Sequence, residues 1–484
     1  MQLAFKHNWE FCSILLIQNS SFKYKQEKRK LGEDHMFKKK NYETHITFRE
    51  LFKKGDLPTK LSFFIMGAAN LANKQIPKGL LFLASEIGFI YWLVTNGAHA
   101  LAMLQTLGTK KQGLVYNEDL GIELLQKGDN SMLILLFGIA AILVCILLII
   151  LYVINLKSAR HLFELKLSGD KIPSTTQDLR SLLNERFHVT LMSVPLIGVL
   201  FFTVLPLLYM ISIAFTNYDH NHLPPKSLFT WVGLQNFGNV ISGDMAGTFF
   251  PVLGWTLIWA IFATVTNFFF GIILALLINA KGIKYKKMWR TLFVITMAVP
   301  QFVSLLVMRN LLNDAGPINA ILQNLGWISS SIPFLTDPIL AKITVIVVNM
   351  WIGIPVTMLI STGIIQNLPT DQIEAAEIDG ANKFQIFRNI TFPQILFVMT
   401  PALIQQFIGN INNFNVIYLL TQGGPTNSDF YGAGSTDLLV TWLYNLTVNT
   451  MDYNLASVIG ILIFILSAVF SLMAYTRTNS FKEA

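Results

Sequence analysis

Residues 371–393 read DQIEAAEIDGANKFQIFRNITFP, a short charged segment between two long apolar stretches of the chain. Pro369 precedes the segment, and Asp371 followed three residues later by Glu374 predicts a capping box at a helix start. Gly380 stands where a helix favours a left-handed residue at its C-terminal end. The pattern therefore predicts a short helix that ends at Gly380.

A second amphipathic helix is predicted after Gly380. Phe384, Phe387 and Ile390 recur there at helical spacing, and Pro393 suits the first turn of the helix that follows. Two amphipathic helices in one connection between apolar stretches indicate a surface that is presented to a partner.

Composition places the chain in the membrane. Of its 484 residues, 53% are hydrophobic and 13% charged, whereas soluble proteins carry roughly 25% charged residues. The net charge of +8 does not indicate nucleic-acid binding, because Lys and Arg cluster between apolar stretches as membrane orientation requires. Cys12 and Cys145 are the only cysteines, which argues against a disulfide framework or a cysteine metal site. The prediction is an all-α integral membrane protein with no metal site.

Eight apolar stretches approach the roughly 20 residues that a transmembrane helix needs. They are 79–97, 131–154, 189–214, 250–280, 291–312, 340–362, 394–420 and 454–476. The shorter segment Leu61 to Ala72, flanked by Lys60 and Lys74, is predicted to be an interfacial helix.

Charge asymmetry predicts the orientation. Connections 155–188 and 281–290 are rich in Lys and Arg. In connections 215–249, 313–339 and 421–453, Lys226 is the only Lys or Arg residue. Both termini and the 371–393 segment are therefore predicted to be cytoplasmic, at the plasma membrane. The outer connections 215–249 and 421–453 are rich in Gly, Pro, Asn and aromatic residues, which is typical of ordered loops.

The chain is predicted to have three regions. Residues 1–60 form a basic cytoplasmic segment, within which 1–35 precede an alternative start at Met36. Residues 61–188 hold the interfacial helix, the first two spans and a cytoplasmic linker, and residues 189–484 hold the remaining spans.

Amides concentrate in the last predicted spans. Gln406, Asn410 and Asn413 share one helical face, and Asn349 and Trp351 lie in the preceding span. Amides and aromatic rings suit sugar binding. The alternative is that these amides join helices through hydrogen bonds, each worth roughly 0.6 to 2 kcal/mol.

Sequence motifs for ATP hydrolysis are absent, since the chain has no GxxxxGK[ST] phosphate loop. Another subunit or an ion gradient must therefore supply energy for transport. An ion-driven carrier usually places carboxylates within its spans, and Glu86 is the only one within the predicted spans.

The residues Glu374-Ala375-Ala376, Gly380, Ile390 and Pro393 resemble the EAA loop of ABC-importer permeases. The segments NNFNVIYLLTQGGPTN (412–427) and AGSTDLLVTWLYNLT (433–447) are similar to the larger permease of maltose and maltodextrin importers of the Gram-positive type. The resemblance implies a type I importer permease fold, with residues 189–484 as its core. It implies no enzyme activity and no bound cofactor, because ATP and Mg are used by a partner ATPase.

The same resemblance implies the partners: a second, homologous permease, an ATPase homodimer that receives the EAA loop, an extracellular sugar-binding lipoprotein, and membrane lipid. The residues implied in ATPase docking are Glu374, Ala375, Ala376, Asp379, Gly380, Phe384 and Phe387.

The resemblance also implies a mid-membrane sugar site. Its residues are Asn349, Ile352, Gly353, Val356, Gln406, Gly409, Asn410 and Asn413. The implied substrate is an oligosaccharide related to maltodextrin. The alternatives are a galacto-oligosaccharide, glycerol phosphate, or an ion-driven carrier; a glycerol phosphate permease is expected to line its cavity with Lys or Arg.

Overall fold

The computed structural model describes residues 46–117, 121–185, 187–280 and 282–476. Within this part of the chain, seven helices are long and apolar enough to cross a membrane, or eight if one bent pair counts as a span. This confirms the predicted all-α membrane fold with about eight spans. Most of the predicted 1–60 segment lies outside the described residues.

Among the described residues, the helices follow one another with one β-hairpin between them. In chain order they are α1 (Phe48–Lys54), α2 (Leu57–Leu61), α3 (Ala68–Ala72), α4 (Ile76–Thr106), β1 (Gly113–Asn117), β2 (Ile122–Gln126), α5 (Ser131–Ser168), α6 (Thr175–Leu183), α7 (Phe187–Ile213), α8 (Gln235–Ile241), α9 (Ala246–Asn279), α10 (Lys286–Ala298), α11 (Gln301–Leu311), α12 (Pro317–Asn324), α13 (Pro338–Gln366), α14 (Thr370–Ile378), α15 (Lys383–Ile411), α16 (Phe414–Leu420), α17 (Leu439–Val448) and α18 (Tyr453–Thr476). Strands β1 and β2 pair antiparallel, with Gly113 opposite Gln126.

Three predicted helices are broken. The predicted span 291–312 is two helices, α10 and α11, which meet at 91°; Val299 is extended because Pro300 disfavours the helical conformation before it. The predicted span 394–420 ends at Ile411, and α16 begins only after Asn413. The predicted interfacial helix Leu61 to Ala72 is wrong as one helix, since a turn separates α2 from α3.

Several prolines lie inside long helices without breaking them, and two of these prolines follow a π turn. In α15, Pro393 follows a π turn at Phe387–Thr391, and in α7, Pro206 follows a π turn at Leu200–Val204. A proline ring clashes with the carbonyl four residues earlier, and that carbonyl lies within the wider π turn in both helices. The second helix predicted in the 371–393 segment is therefore the beginning of the long helix α15.

The chain divides into two compact units, of which the first comprises residues 1–84 with 151–176. In its described part, α3 packs against the end of α5 through Ala69, Ala159 and Leu162. Arg160 of α5 lies 5.5 Å from the centre of the Phe48 ring of α1, and Leu51 and Met66 are buried.

The second unit comprises residues 85–150 and 177–484. Its core surrounds Trp259 and Trp442, both fully buried. Three indole N–H groups fix its elements: Trp259 donates to the Asn410 carbonyl (3.0 Å), Trp255 to Thr436 (3.1 Å) and Trp442 to Tyr431 (2.7 Å). The first two bonds hold α9 against α15 and against the loop before α17, and the third holds α17 against the same loop.

Candidate functional site

The 371–393 segment forms α14, a turn and the first residues of α15. Gly380 has a φ of +81°, which confirms the predicted left-handed residue. Beyond it, the Gln385 amide N–H donates to Asn382 Oδ1, and the Asn382 amide N–H donates to Gln385 Oε1, both at 2.8 Å. This capping box begins α15 by satisfying two backbone N–H groups.

The capping box predicted at Asp371 and Glu374 is wrong. Helix α14 begins at Thr370 directly after Pro369, and no side chain caps it. Asp371 thus lies in the first turn, where its charge still favours the helix dipole. Glu374 is exposed, and its carboxylate is not part of the helix start.

Two large apolar side chains protrude beside the turn at Gly380. Ile378 is 86% exposed at the end of α14, and Phe384 is 68% exposed in the first turn of α15. Glu374, Ala375 and the residues of the turn are also exposed. Sequence reasoning missed Ile378, although a large apolar side chain just before the glycine of a charged segment is a usable signal. Exposed apolar side chains beside charged residues are typical of surfaces that contact a partner.

Phe387 differs from the other predicted docking residues. It is half-buried against a buried cluster of Ile272, Ile395 and Met399, and its ring centroid lies 5.7 Å from that of Phe392. Phe387 therefore anchors the start of α15 to the rest of this chain. Ala376 is half-buried. The docking role of all seven residues stays a prediction.

Two of the predicted sugar-site residues, Asn349 and Asn410, are buried, and Gly353 is half-buried against α9. Asn410 is 6% exposed, and its amide donates to Thr264 Oγ1 at 3.0 Å. Asn349 is buried on α13, and its Nδ2 has no hydrogen-bond partner among the described residues. Gly353 abuts Asn267 on α9 so closely that a Cβ atom would lie 2.0 Å from Asn267 Nδ2. In this conformation, Asn410 bonds α15 to α9, and Gly353 packs α13 against α9.

The other five predicted residues are more accessible. Ile352, Gln406 and Asn413 are half-buried, and the Asn413 side chain accepts a hydrogen bond from the Val416 amide at the start of α16. Val356 is exposed on α13. Gly409 is exposed on α15, and a Cβ atom added there would meet no atom within 4 Å.

A second row of residues, which we call the amide row, is exposed on α15 and directly after it. Gln405 and Gly409 on α15 and Asn412 just beyond its end recur at i, i+4 and i+7, one residue out of phase with the predicted face. The Asn412 amide donates to the Ile408 carbonyl at 3.1 Å. Asn415 continues the polar surface and donates to Gln301 Oε1 at 3.4 Å. Amides are costly in lipid, so this row faces a cavity or a partner. The repeated spacing is visible in the sequence, but the buried face cannot be chosen without the packing.

The loop between α16 and α17 borders an open pocket of about 420 Å³. Its lining includes Thr421, Gly423, Phe430, Asp437 and Asn445. Asp437 is 1% exposed, and its Oδ2 accepts hydrogen bonds from the Gly434 amide (2.8 Å) and from Asn445 (3.3 Å). Gly423 has a φ of +81°, and a Cβ there would lie 2.2 Å from Asp437 Oδ1. The buried carboxylate thus depends on a glycine at this position.

This loop is also bound to the loop after α7. Asp452 is buried and accepts a hydrogen bond from Tyr431 (2.6 Å), and its other oxygen lies 2.8 Å from His220 Nδ1. The hydrogen bond to Asp452 raises the pKa of His220. These contacts confirm that both loops are ordered structures.

Asp437→Asn is expected to remove a pH dependence of stability. Burial raises the pKa of Asp437 from 3.8 to about 6, so the folded chain holds this proton more tightly than the unfolded chain. The stabilisation is complete below about pH 4 and is lost as pH rises through about 6, about 3 kcal/mol in all. Thermal unfolding of the purified chain should show Asp437→Asn gaining on wild type by several degrees between pH 4 and 7. Parallel melting curves of the two proteins across this range would show that Asp437 is not buried as described.

Comparison with known proteins agrees with this architecture. Residues 267–479 match the family model described as binding-protein-dependent transport system inner membrane component. The maltodextrin transport system permease protein MdxF of Bacillus subtilis is 36% identical over 426 residues, which cover 86% of this chain and 94% of MdxF. The galactooligosaccharides transport system permease protein GanP of the same organism is 35% identical over 425 residues, 87% of this chain and 97% of GanP.

A solved structure shares the fold. The chain superposes on a bacterial ABC transporter that imports alginate with a TM-score of 0.52 at 21% identity, covering 62% of this chain and 96% of the other. At this identity the likeness concerns the fold alone. Together with the identity to whole permeases and the apolar helices, these matches show that the chain belongs to the family of binding-protein-dependent transport system inner membrane components, as a multi-pass permease subunit.

Proposed function

We propose that this chain is the larger permease of an ATP-driven importer that moves maltodextrin-like oligosaccharides into the cell by alternating access. The observation that carries the proposal is the exposed amide row, with Gln405 and Gly409 on a helix long enough to span the membrane and Asn412 directly after it. Amides offer both donors and acceptors to sugar hydroxyls, and the glycine leaves room for a ring to approach.

Substrate class is supported by the relatives. MdxF and the MalC protein of Streptococcus pneumoniae are named as maltodextrin permeases, and GanP as a galactooligosaccharide permease. All three support an oligosaccharide, and maltodextrin is favoured over galacto-oligosaccharide because it is the substrate named for two of them.

A phosphorylated substrate is disfavoured by the charges of the helices concerned. Lys342 is the one basic residue of α13. It lies near the beginning of the helix, where its Nζ is 4.9 Å from the centre of the Trp255 ring. This cation–π contact occupies the Lys342 ammonium group within the chain, so its charge is not directed at a phosphorylated substrate. The basic residues of α15, Lys383 and Arg388, lie in its first turns, well before Gln405.

We assign the exposed residues Gln405, Gly409, Asn412 and Val356 to the substrate-facing surface. Gly353 and Asn410 support it by fixing α13 and α15 to α9, and Asn349 is buried on α13. Gln406, Ile352 and Asn413 are half-buried, so their accessibility lies between that of the two groups.

The partners of this proposal are a second permease, an ATPase dimer that uses ATP and Mg, and an extracellular sugar-binding protein. Closure of the ATPase dimer would draw the 371–393 segments together and open the sugar cavity outwards, and hydrolysis would reverse the change. The turn at Gly380 and helix α15 connect the docking surface directly to the amide row, since both lie on one continuous stretch of chain.

Uptake by the assembled complex tests the assignment of the amide row. Gln405→Ala with Asn412→Ala is expected to raise the KM for labelled maltotriose about tenfold or more, equal to about 1.4 kcal/mol of lost binding, with normal amounts of assembled complex. Excess unlabelled maltodextrin should compete, and glycerol phosphate should not.

Asn410→Ala is the matched comparison, because it removes an amide from the same helix that contacts Thr264. It should lower the amount of assembled complex while leaving the KM of the remainder near wild type. The proposed surface is wrong if the double variant keeps the wild-type KM. Stronger competition by galacto-oligosaccharide than by maltodextrin would show that the preferred substrate is a galacto-oligosaccharide.

A further inference from the structure

An exposed apolar surface lies in the first compact unit, on residues 57–81. Leu57 and Leu61 are exposed on α2, and Phe64 (71% exposed) and Ile65 protrude from the turn between α2 and α3. Four large apolar side chains on about ten residues exceed what water-facing helices usually expose together. The surface therefore needs an apolar environment.

Hydrogen bonds fix the turn between α2 and α3 to one position along α5. Tyr152 donates to the Phe63 carbonyl (3.0 Å), and Asn155 donates to the Ser62 carbonyl (2.9 Å) while accepting from the Gly67 amide (2.8 Å). Asn155 is fully buried. It directly follows the apolar stretch 131–154, so the turn lies where this helix leaves the hydrocarbon core.

The start of the first membrane-spanning helix, α4, contacts the same turn. A Cβ atom on Gly67 would lie 2.2 Å from the Gly79 carbonyl oxygen, so the two backbones touch. Gly79 begins the apolar stretch 79–97, and Leu80 and Leu81 after it are exposed. The edges of both apolar stretches thus meet at the turn that carries Phe64, which places this turn at the membrane boundary.

The charge at this boundary is positive. Residues 57–81 contain Lys60, Lys74 and Lys78 but no Asp or Glu, and Lys157 is exposed one turn beyond Ile154. The acid before the segment, Asp56, is paired with Lys166 at 2.7 Å. An apolar tip surrounded by lysines complements a bilayer surface whose headgroups carry negative phosphates.

We propose that residues 57–81 form an interfacial segment that binds anionic phospholipids, with Phe64 and Ile65 in the acyl boundary and Lys60, Lys74 and Lys157 at the headgroups. The buried amides of Asn155 and Asn70 make this segment rigid: Asn70 donates to Gln75 (2.8 Å) and to Ser158 (3.0 Å). The headgroup site is therefore preorganised for lipid binding.

Lipid retention by the purified full chain tests the charge. Wild type is incubated in detergent with phosphatidylglycerol or phosphatidylcholine, and retained lipids are counted by native mass spectrometry. Lys60→Gln, Lys74→Gln and Lys157→Gln together should at least halve retained phosphatidylglycerol and leave phosphatidylcholine unchanged. The matched control changes the exposed Lys110, Lys111 and Lys127 and should retain wild-type amounts. Equal retention by the two triple variants would overturn the proposal.

Depth measurement tests the apolar tip independently. In a full chain with Cys12→Ser and Cys145→Ser, a spin label at Phe64→Cys should collide more with oxygen than with a water-soluble nickel chelate. The exposed Lys171 of the same unit provides the control, since a label at Lys171→Cys should show the reverse order. Nickel-dominated collisions at position 64 would show that this segment lies in water.

Discussion

Glu374→Lys is expected to abolish sugar-stimulated ATP hydrolysis in the assembled complex. The residue is exposed on α14, whose start uses no side-chain cap, so the substitution leaves the chain's own fold intact. In the docking we propose, Glu374 pairs with a cation of the ATPase cleft, and Lys at this position replaces the attraction by a repulsion. Losing one partner of such a pair costs about 2–5 kcal/mol, which corresponds to about 30-fold or more. The measurement is ATPase activity of the reconstituted complex with and without sugar and binding protein.

Glu377→Lys is the matched control for this prediction, because it makes the same charge change three residues further along the same exposed helix. It should retain most of the stimulation, whereas Phe384→Asp should weaken ATPase association through the apolar part of the surface. Membrane insertion should be normal in all three variants. Normal coupling in Glu374→Lys would remove the proposed docking role of this residue.

Gly353→Val and Gly409→Val are expected to fail in different ways, although the sequence predicts both positions to bind sugar. At Gly353 a side chain would collide with Asn267, which is buried between α9 and α13. Overpacking of this kind costs about 1–3 kcal/mol or more, so the variant should yield little folded chain. At Gly409 no atom lies within 4 Å of an added Cβ, so folding should be normal and uptake should fall.

Fluorescence-detected size-exclusion chromatography gives the folded yield, and uptake normalised to that yield separates the two effects. Gly409→Ala and Gly353→Ala provide a graded comparison, since only the second places even a methyl group against Asn267. If Gly353→Val folds at wild-type yield, the close packing of α9 on α13 is wrong. If Gly409→Val transports normally, the exposed row does not face the substrate.

Much of the fold can be predicted from hydrophobicity and from the positions of Gly and Pro. The apolar stretches indicate the number of long helices, and the helix-ending preference of glycine identifies Gly380. The bend at Val299–Pro300 is also accessible in principle, because the residue before proline avoids the helical conformation. The uninterrupted helix through Pro393 cannot be predicted from the sequence, because the π turn that accommodates the proline ring is formed by backbone geometry and has no residue signature.

The candidate site is harder to predict, because burial depends on tertiary packing. Asn410 and Gln405 are amides on one helix, yet Asn410 bonds to Thr264 while Gln405 is exposed. A helical face is defined by the sequence, but which face turns inward depends on its neighbours. The same applies to Phe387 and Phe384: their spacing predicts one amphipathic helix, and only the cluster around Ile395 shows that Phe387 packs inside.

The most direct test of the central claim is ATP-driven uptake by proteoliposomes. Vesicles containing this chain, the second permease and the ATPase, loaded with ATP and Mg and supplied with the binding protein, should accumulate labelled maltotriose against its gradient. Vesicles that lack this chain should accumulate none. Equal uptake with and without this chain, or uptake that needs an ion gradient instead of ATP, would contradict its role as the importer's permease.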